Sequence, residues 1–300
     1  MRMAGTKDRF SQRHPFLFGV LMIILAMALI TGVMAFFRAL GWTPGSLALS
    51  GDKIGIVHVE GMILDSSRVV RFIRSLEEDD SVKGVLLRVD SPGGSIAPSQ
   101  EIYAAVKRLN QVKPVIASYG TVAASGGYYA SCPARLIFAN SGSITASIGV
   151  MAEFVTVADA MEKFGIRPEV LTTGKFKAAG TPLRNLTDAQ REQMLGLMQD
   201  LHDQFVDDVA EARGMERARI AAIADGRAVT GRQALALGLI DRLGTQADAV
   251  EELKKETGIE GRAAVIEGPV EERTFVQELM GALKIDLSSS LKQGWSFYYK

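Results

Sequence analysis

The fold is decided by two glycine-rich turns, Asp90-Ser-Pro-Gly-Gly-Ser95 and Ala123-Ala-Ser-Gly-Gly-Tyr128. Each turn follows a short apolar run that predicts a β-strand, and each precedes a stretch that predicts a helix. Strands and helices in this alternation favour parallel strands joined by crossover helices. The carboxyl ends of such strands meet at one edge of the sheet, where α/β proteins form their sites. The sequence therefore predicts that the two turns lie close together.

Further elements extend outward from these turns. Strands are predicted at Ile54–Val59, Val82–Asp90, Lys113–Gly120, Arg135–Ala139, Gly149–Phe154 and Pro168–Thr173. Helices are predicted at Ser66–Glu78, at Pro98–Leu109, after capping-box patterns at Thr187 and Thr230, and at Thr245–Glu256. The predicted fold class is α/β, and the chain that follows the N-terminal apolar run is long enough to bury one full core.

Charge is distributed unevenly along the chain, although 34 basic residues balance 34 acidic ones. A net charge of zero argues against a general nucleic-acid binder. The first 14 residues carry four basic side chains and one acidic side chain, and Pro15–Phe37 then runs 23 residues without a charge. At about 1.5 Å per residue this run reaches about 34 Å, enough to cross a bilayer. The positive-inside rule leaves the N-terminus in the cytoplasm and the rest of the chain outside.

A cleaved signal peptide is the alternative to an uncleaved anchor. The apolar core of a signal peptide is usually about 7–15 residues long and is followed by small residues at the cleavage site. The run in this chain is longer, and Phe36-Phe37-Arg38 is a poor place to cut. We therefore expect an uncleaved single-pass anchor.

The two turns also carry candidate chemistry. Paired glycines leave backbone N–H groups that can stabilise an oxyanion. Ser125, at a predicted helix start, is a candidate nucleophile, although a plain N-cap is the alternative. The chain has one cysteine and three histidines, which argues against thiolate or histidine-rich metal sites. Ala123 replaces the first glycine of the G-x-S-x-G elbow that accompanies many Ser-His-Asp triads, so a lysine is the alternative to histidine as the base. Lys175 and Lys177 are the candidate lysines, and the alternative for both is an ordinary surface charge.

Five motifs in order resemble the signal peptide peptidase SppA family. They are DSPGGS at 90–95, ASGGYYAS at 124–131, GSITASIGV at 142–150, GKFKAAGTP at 174–182 and DGRAVTGRQALALGLID at 225–241. The resemblance covers about 54–258 and implies a Ser-Lys protease of the Clp-protease (ClpP)/crotonase-like fold, built of repeated ββα units. The resemblance implies that the reaction needs no metal and no cofactor. It also implies that the substrates are peptides, namely signal-peptide remnants and other membrane-proximal polypeptides.

The resemblance also implies the site residues. Ser125 matches the nucleophile and Lys177 the general base, whereas Lys175 does not match that position. The amides of Gly94 and Gly126 match the oxyanion hole, and Ser147 matches a serine that orients the lysine. In the family the lysine of one short protomer completes the serine site of its neighbour, which implies a homo-oligomer on the membrane.

Together these patterns divide the chain into five parts. They are a cytoplasmic basic stub at 1–14, a transmembrane anchor at 15–37, a linker at 38–52, a Ser-Lys peptidase domain at 53–258 and a C-terminal extension at 259–300. The expected location is the bacterial inner (plasma) membrane, with the catalytic domain on the periplasmic side. Two rival hypotheses are an acyl-CoA hydratase or hydrolase of the crotonase type and a membrane scaffold that has lost its chemistry.

Overall fold

Helix α1, Pro15–Ala39, opens the computed structural model, which describes residues 14–39, 52–269 and 298–299. Its 25 residues span about 37 Å at the rise of an α-helix. By length and composition it could cross a membrane, and none of its Phe16–Val33 window is buried. The chain divides into two compact units, of which Met1–Gly51 contains α1 and Asp52–Lys300 contains everything else.

The second unit is built on one nine-stranded sheet. The strands are β1 Lys53–Ile63, β2 Val82–Ser95, β3 Val115–Ala124, β4 Leu136–Ala139, β5 Ile144–Ala146, β6 Ala228–Thr230, β7 Arg242–Leu243, β8 Ala264–Gly268 and β9 Tyr298–Tyr299. The helices are α2 Ser67–Glu78, α3 Ile96–Val112, α4 Gly126–Ser131, α5 Ala158–Lys163, α6 Asp188–Arg213, α7 Arg217–Ala221, α8 Gly231–Leu237 and α9 Gln246–Thr257.

The sheet order is β6-β5-β3-β2-β1-β8, and the long central strands β1, β2 and β3 run parallel. Beside β3, β4 pairs with its first half and β5 with its last three residues. Successive side chains of β1 enter different cores: Val57 and Val59 pack in the larger one, and Ile54 and Ile56 pack in a smaller one. Leu253 of α9 belongs to that smaller core. Both faces of the central strands are therefore covered, as parallel sheets require.

Most of the predicted elements are confirmed. The predicted strands near Ile54, Val82, Lys113 and Arg135 correspond to β1 to β4, and the helices after Thr187 and Thr230 begin with complete capping boxes. The helix predicted over Thr245–Glu256 is α9, and Thr245 also forms a capping box.

Two predicted strands are wrong. Gly149–Phe154 has only an isolated bridge at Met151, and Pro168–Thr173 has no strand. Both segments contain β-branched or aromatic residues, which favour extended chain, but a strand also needs a neighbour that accepts and donates its backbone hydrogen bonds. Within this chain no neighbouring strand pairs with either segment in the described sheet, so the local pattern does not form a ladder.

Candidate active site

The two glycine-rich turns lie side by side because β2 and β3 are parallel neighbours. The last described pair between these strands joins Ser91 to Ala123. Beyond it, β2 continues to Ser95, while β3 ends at Ala124 and the chain turns into α4. The turns therefore meet at the carboxyl edge of the sheet, as their positions in the sequence predict.

Ser125 occupies a strained turn between β3 and α4. Its φ of 53° and ψ of −119° are outside the regions that a serine ordinarily adopts. The side chain is fully buried. Among the described residues, the Ser125 Oγ and the Arg213 Nε are the buried side-chain polar atoms without a hydrogen-bond partner. A buried hydroxyl without a hydrogen-bond partner costs about 1–3 kcal/mol, so the Ser125 side chain lowers the free energy of unfolding.

Gly126 and Gly94 bring the backbone of the two turns into contact. A Cβ on Gly126 would lie 2.5 Å from the Ser99 Oγ and 3.2 Å from the backbone nitrogen of Gly94. A Cβ on Gly94 would lie 2.2 Å from the carbonyl oxygen of Ile63. Neither position has room for a side chain. Gly126 is also the first residue of α4, where backbone N–H groups have no partner within the helix.

Ser147 joins the same site through β5. The Ser125 N–H donates to the carbonyl of Ala146 over 2.7 Å. Ser147, which is 8% exposed, donates its hydroxyl to the Gly226 carbonyl over 3.2 Å. Within the described part of the chain, the non-glycine residues with positive φ are Ser125, Ala146 and Ser147. Backbone strain is thus concentrated at this one place.

Lys177 is a predicted site residue that forms no hydrogen bond with the Ser125 hydroxyl within one chain. It lies in an exposed turn, where its backbone N–H donates to the Gly174 carbonyl over 3.0 Å. Because the Ser125 Oγ has no partner, no hydrogen bond joins it to the Lys177 side chain. Lys175 lies in the same turn with its Nζ 4.6 Å from the centre of the Phe176 ring.

The histidines of the second unit have other partners. His58 in β1 contacts Glu60 at 3.2 Å and Glu267 at 3.8 Å. His202 in α6 contacts the carbonyl of Ala224 at 2.8 Å. Neither histidine forms a hydrogen bond with the Ser125 hydroxyl, and the described residues contain no cluster of acidic, histidine or cysteine side chains that could hold a metal ion.

The aromatic residues behind Ser125 pack in the core. Tyr128 and Tyr129 are fully buried, so their rings pack in the core. Tyr128 donates its hydroxyl to the Leu239 carbonyl, and burial raises the pKa of that hydroxyl well above its usual value. Cys132 is also fully buried, and burial raises the pKa of its thiol, so it stays protonated and unreactive at neutral pH.

Ser99 is a site residue that the sequence patterns do not identify. It lies in α3, with its hydroxyl donating to the carbonyl of Ser95 and lying against Gly126. It therefore limits the space beside Gly126. None of the five motifs contains Ser99. Its position beside Gly126 depends on how α3 packs against α4, which no local pattern predicts.

Two family models match the second unit of the chain. The family model described as Peptidase family S49 matches residues 107–260, and the one described as Clp protease matches residues 54–142. A candidate protease of Synechocystis sp. is 36% identical over 231 residues, which cover 76% of this chain and 83% of that protein. A candidate signal peptide peptidase SppA of Enterococcus faecium is 32% identical over 246 residues, which cover 77% of this chain and 71% of that protein.

Among solved structures, a ClpP1 mutant from Listeria monocytogenes aligns with a TM-score of 0.45 at 15% identity. The alignment covers 65% of this chain and 94% of that one. The match to the Clp protease family includes both glycine-rich turns, and the fold is accordingly a Clp-protease-like α/β sheet.

Proposed function

This chain belongs to peptidase family S49 and is a serine-type peptidase, and on that premise we propose that it is a membrane-anchored endopeptidase with a Ser-Lys dyad. Ser125 is the nucleophile, and Lys177 of a neighbouring copy is the general base. The amides of Gly94 and Gly126 form the oxyanion hole, and Ser147 orients the lysine.

The observation that carries this proposal is the state of Ser125. Its hydroxyl is buried and without a partner, and its backbone is held in a strained turn at the start of a helix. Strain and unsatisfied polar groups persist where function requires them. A plain N-cap would satisfy a backbone N–H with its side chain, and Ser125 makes no such bond.

The reaction follows from these roles. A lysine acts as a base in its neutral form, which burial favours. Lys177 takes the Oγ proton of Ser125 as the oxygen bonds to the peptide carbonyl carbon, and the oxyanion is held by the two glycine amides. The C–N bond then breaks as the amine receives the proton, which leaves an acyl-enzyme. Lys177 next takes a proton from water, the hydroxide attacks the ester, and the proton returns to the Ser125 oxygen.

A base from a second copy is supported by the surroundings of Lys177. Its side chain is exposed, whereas Ser125 is buried. Large apolar side chains on the same stretch of chain are also exposed, among them Phe164 at 82% and Leu171 at 86%. Apolar surface of this kind is typical of a surface that packs against another protein. A second copy that covers it would also supply partners for the two segments that fail to form strands.

The anchor and the substrate class complete the proposal. Helix α1 holds the catalytic unit at the outer face of the bacterial plasma membrane, with the basic N-terminus in the cytoplasm. Signal-peptide remnants and other membrane-proximal polypeptides are the substrates. An anchor of this kind keeps the site close to apolar peptides as they leave the bilayer.

The test compares three variants of the full chain in detergent: Ser125→Ala, Lys177→Ala and Lys175→Ala. Cleavage of a fluorogenic peptide and labelling by a fluorophosphonate are measured. We expect both activities to be lost in Ser125→Ala, and cleavage to be lost in Lys177→Ala. Lys175→Ala is the matched control, because this lysine lies two residues away in the same turn, and it should cleave like the unchanged chain.

Co-expression of Ser125→Ala with Lys177→Ala tests the shared site. If each site takes its serine and its lysine from different copies, about a quarter of the sites in an equal mixture are complete. Recovery to roughly that fraction supports the proposal. No recovery contradicts the shared site, and full activity in Lys177→Ala contradicts the dyad. Turnover of an acyl-CoA thioester without labelling of Ser125 would instead support a crotonase-type hydrolase.

A further inference from the structure

The side chain of Gln190 connects helix α6 to the turn that contains Lys177. Gln190 lies in the first turn of α6 and is only 4% exposed. Its Nε2 donates a hydrogen bond to the carbonyl oxygen of Lys175 over 3.3 Å. That carbonyl lies two residues before the lysine proposed as the general base. A buried amide that bonds to this turn is a candidate for holding the base in place.

The orientation of the Gln190 amide is fixed from its other end. Its Oε1 accepts the backbone N–H of Thr187 over 3.1 Å, and the Thr187 hydroxyl accepts the backbone N–H of Gln190 over 3.3 Å. These two bonds form the capping box of α6. Because one end of the amide faces an N–H donor and the other end faces a carbonyl, only one of its two orientations satisfies both contacts. The amide therefore bridges two backbone groups.

The turn around Lys177 depends on this bond for part of its support. The Lys177 backbone N–H bonds to the Gly174 carbonyl, and in the part of the chain that the structure describes no backbone N–H donates to the Lys175 carbonyl. Residues 171–177 are exposed, and burial resumes at Ala178 and Ala179, which are 8% and 2% exposed. Buried contacts thus hold the turn after Lys177, and Gln190 holds it before.

Helix α6 gives Gln190 a rigid support. The helix is 26 residues long, and its later turns carry Phe205, Val206 and Val209, which are at most 1% exposed and belong to the larger core. A bond from its first turn therefore connects the exposed turn to the core of the catalytic unit. Catalytic groups need such support, because proton transfer requires the base to lie within hydrogen-bond reach of the proton.

A second capping box in the chain shows that capping alone does not account for Gln190. Helix α8 begins with the same pattern, in which the Oε1 of Gln233 accepts the Thr230 N–H over 2.9 Å. Gln233 is exposed, and among the described residues its side chain bonds only within its own box. The burial of Gln190 and its bond to a second segment therefore need another explanation.

We propose that Gln190 is a positioning residue for the general base: through the Lys175 carbonyl it holds the turn that presents Lys177 to Ser125 of a neighbouring copy. This inference rests on the proposed function of Lys177. A misplacement of about 1 Å at a catalytic site can cost about 100-fold in rate. The glycine-rich turns that would hold the substrate carbonyl do not include this contact, so its loss should lower kcat rather than raise KM.

The test compares Gln190→Met with Gln233→Met, each in the full chain in detergent with a fluorogenic peptide as substrate. Methionine has nearly the size of glutamine but no amide, so each variant loses one capping box, and only Gln190→Met also loses the bond to Lys175. We expect kcat to fall about tenfold or more in Gln190→Met with KM changed less than about twofold. Both constants should stay unchanged in Gln233→Met. Where Lys177→Ala is inactive, an unchanged kcat in Gln190→Met, or an equal fall in both methionine variants, overturns the inference.

Mixed oligomers separate positioning of the base from a general effect on folding. In an equal mixture of Ser125→Ala and Lys177→Ala chains, every complete site takes its lysine from the Ser125→Ala chain. Gln190→Met added to that chain should lower the recovered cleavage by about tenfold. The same change added to the Lys177→Ala chain should leave the recovered cleavage unchanged, because that chain supplies only the serine. Equal effects of the two placements overturn the inference.

Amide hydrogen exchange separates failure of this inference from failure of the proposed function. The N–H groups of Lys177 and Ala179 bond within the turn, and their exchange should become faster in Gln190→Met and stay the same in Gln233→Met. Unchanged exchange in Gln190→Met overturns the inference, whatever the activity. Faster exchange in Gln190→Met together with full activity of Lys177→Ala contradicts the proposed function instead, because the turn is then held by Gln190 but does not carry the base.

Discussion

Ser125 donates its backbone N–H to the carbonyl oxygen of Ala146 over 2.7 Å, and both residues have a positive φ. This bond ties the turn after β3 to the end of β5, where Ser147 also has a positive φ. Each such residue costs on the order of 1–3 kcal/mol. The neighbouring ladder between β3 and β5 holds the strained conformations in place. The position of Ser125 is therefore fixed by backbone hydrogen bonds between the turn after β3 and the end of β5.

Ser125→Ala should leave the chain at least as stable as before. The hydroxyl is buried without a partner, so its removal relieves a desolvation cost of about 1–3 kcal/mol. Ser131→Ala is the control: Ser131 is equally buried, but its hydroxyl binds the Gly127 carbonyl and the Tyr119 hydroxyl. Thermal unfolding should show a raised or equal Tm for the first variant and a lowered Tm for the second. An equal loss in both would contradict this account of Ser125.

Gly126→Ala should lower both stability and kcat. The new Cβ would lie 2.5 Å from the Ser99 Oγ and 3.2 Å from the Gly94 nitrogen. Displacing the proposed oxyanion amides should lower kcat by about 100-fold or more. Gly142→Ala is the control, because nothing lies within 4 Å of a Cβ at that position. Adding Ser99→Ala to Gly126→Ala removes the closest contact and should restore part of the lost Tm; no recovery would contradict the steric explanation.

The sequence predicts the central sheet and the meeting of the two turns because these depend on local signals. Apolar runs predict the strands, and paired glycines mark the turns at 93–94 and 126–127. Parallel order then places both turns at one edge.

Other features depend on contacts that no local pattern contains. Gly149–Phe154 and Pro168–Thr173 contain residues that favour strands but have no partner strand in the described sheet. The role of Ser99 depends on how α3 packs against α4. The pairing of Tyr298–Tyr299 with β2 joins residues about 200 positions apart, and aromatic residues at the end of a chain predict no particular partner.

Asp225→Asn should change how stability depends on pH. The hydrogen bond from Arg227 lowers the pKa of Asp225 from 3.8 to about 2. A carboxyl whose pKa is lowered by folding contributes stability that is present above pH 3.8 and is lost as the pH falls toward 2. Chemical unfolding should therefore show a less stable variant at pH 6 and a smaller difference at pH 3. The exposed Glu260→Gln serves as control and should follow the unchanged chain; a constant difference at all pH values would contradict the prediction.

Asp241→Ala should be strongly destabilising. Asp241 accepts from Arg213 over 2.6 Å and from the backbone N–H of Ile137 over 2.8 Å. The Arg213 side chain is only 7% exposed, so loss of its partner leaves a buried charge that costs about 3–5 kcal/mol. Glu251→Ala removes an exposed pair with Lys254 and should cost about 0.5 kcal/mol or less. Urea unfolding measures both, and equal losses would contradict the role of burial.

Replacing Phe164 and Leu171 together by serine should separate copies of the chain and lower activity. These side chains are 82% and 86% exposed, and burying each against another copy would contribute about 1.5–3 kcal/mol. Their loss should shift sedimentation in detergent toward smaller species and reduce cleavage, because the proposed dyad needs Lys177 of one copy beside Ser125 of another. The Tm should fall by no more than assembly contributes, because these two side chains are mostly exposed within their own chain. Val112→Ser, at an exposed apolar residue of α3, should leave sedimentation and cleavage unchanged, and a double-serine variant with unchanged sedimentation and full activity would contradict the proposed interface.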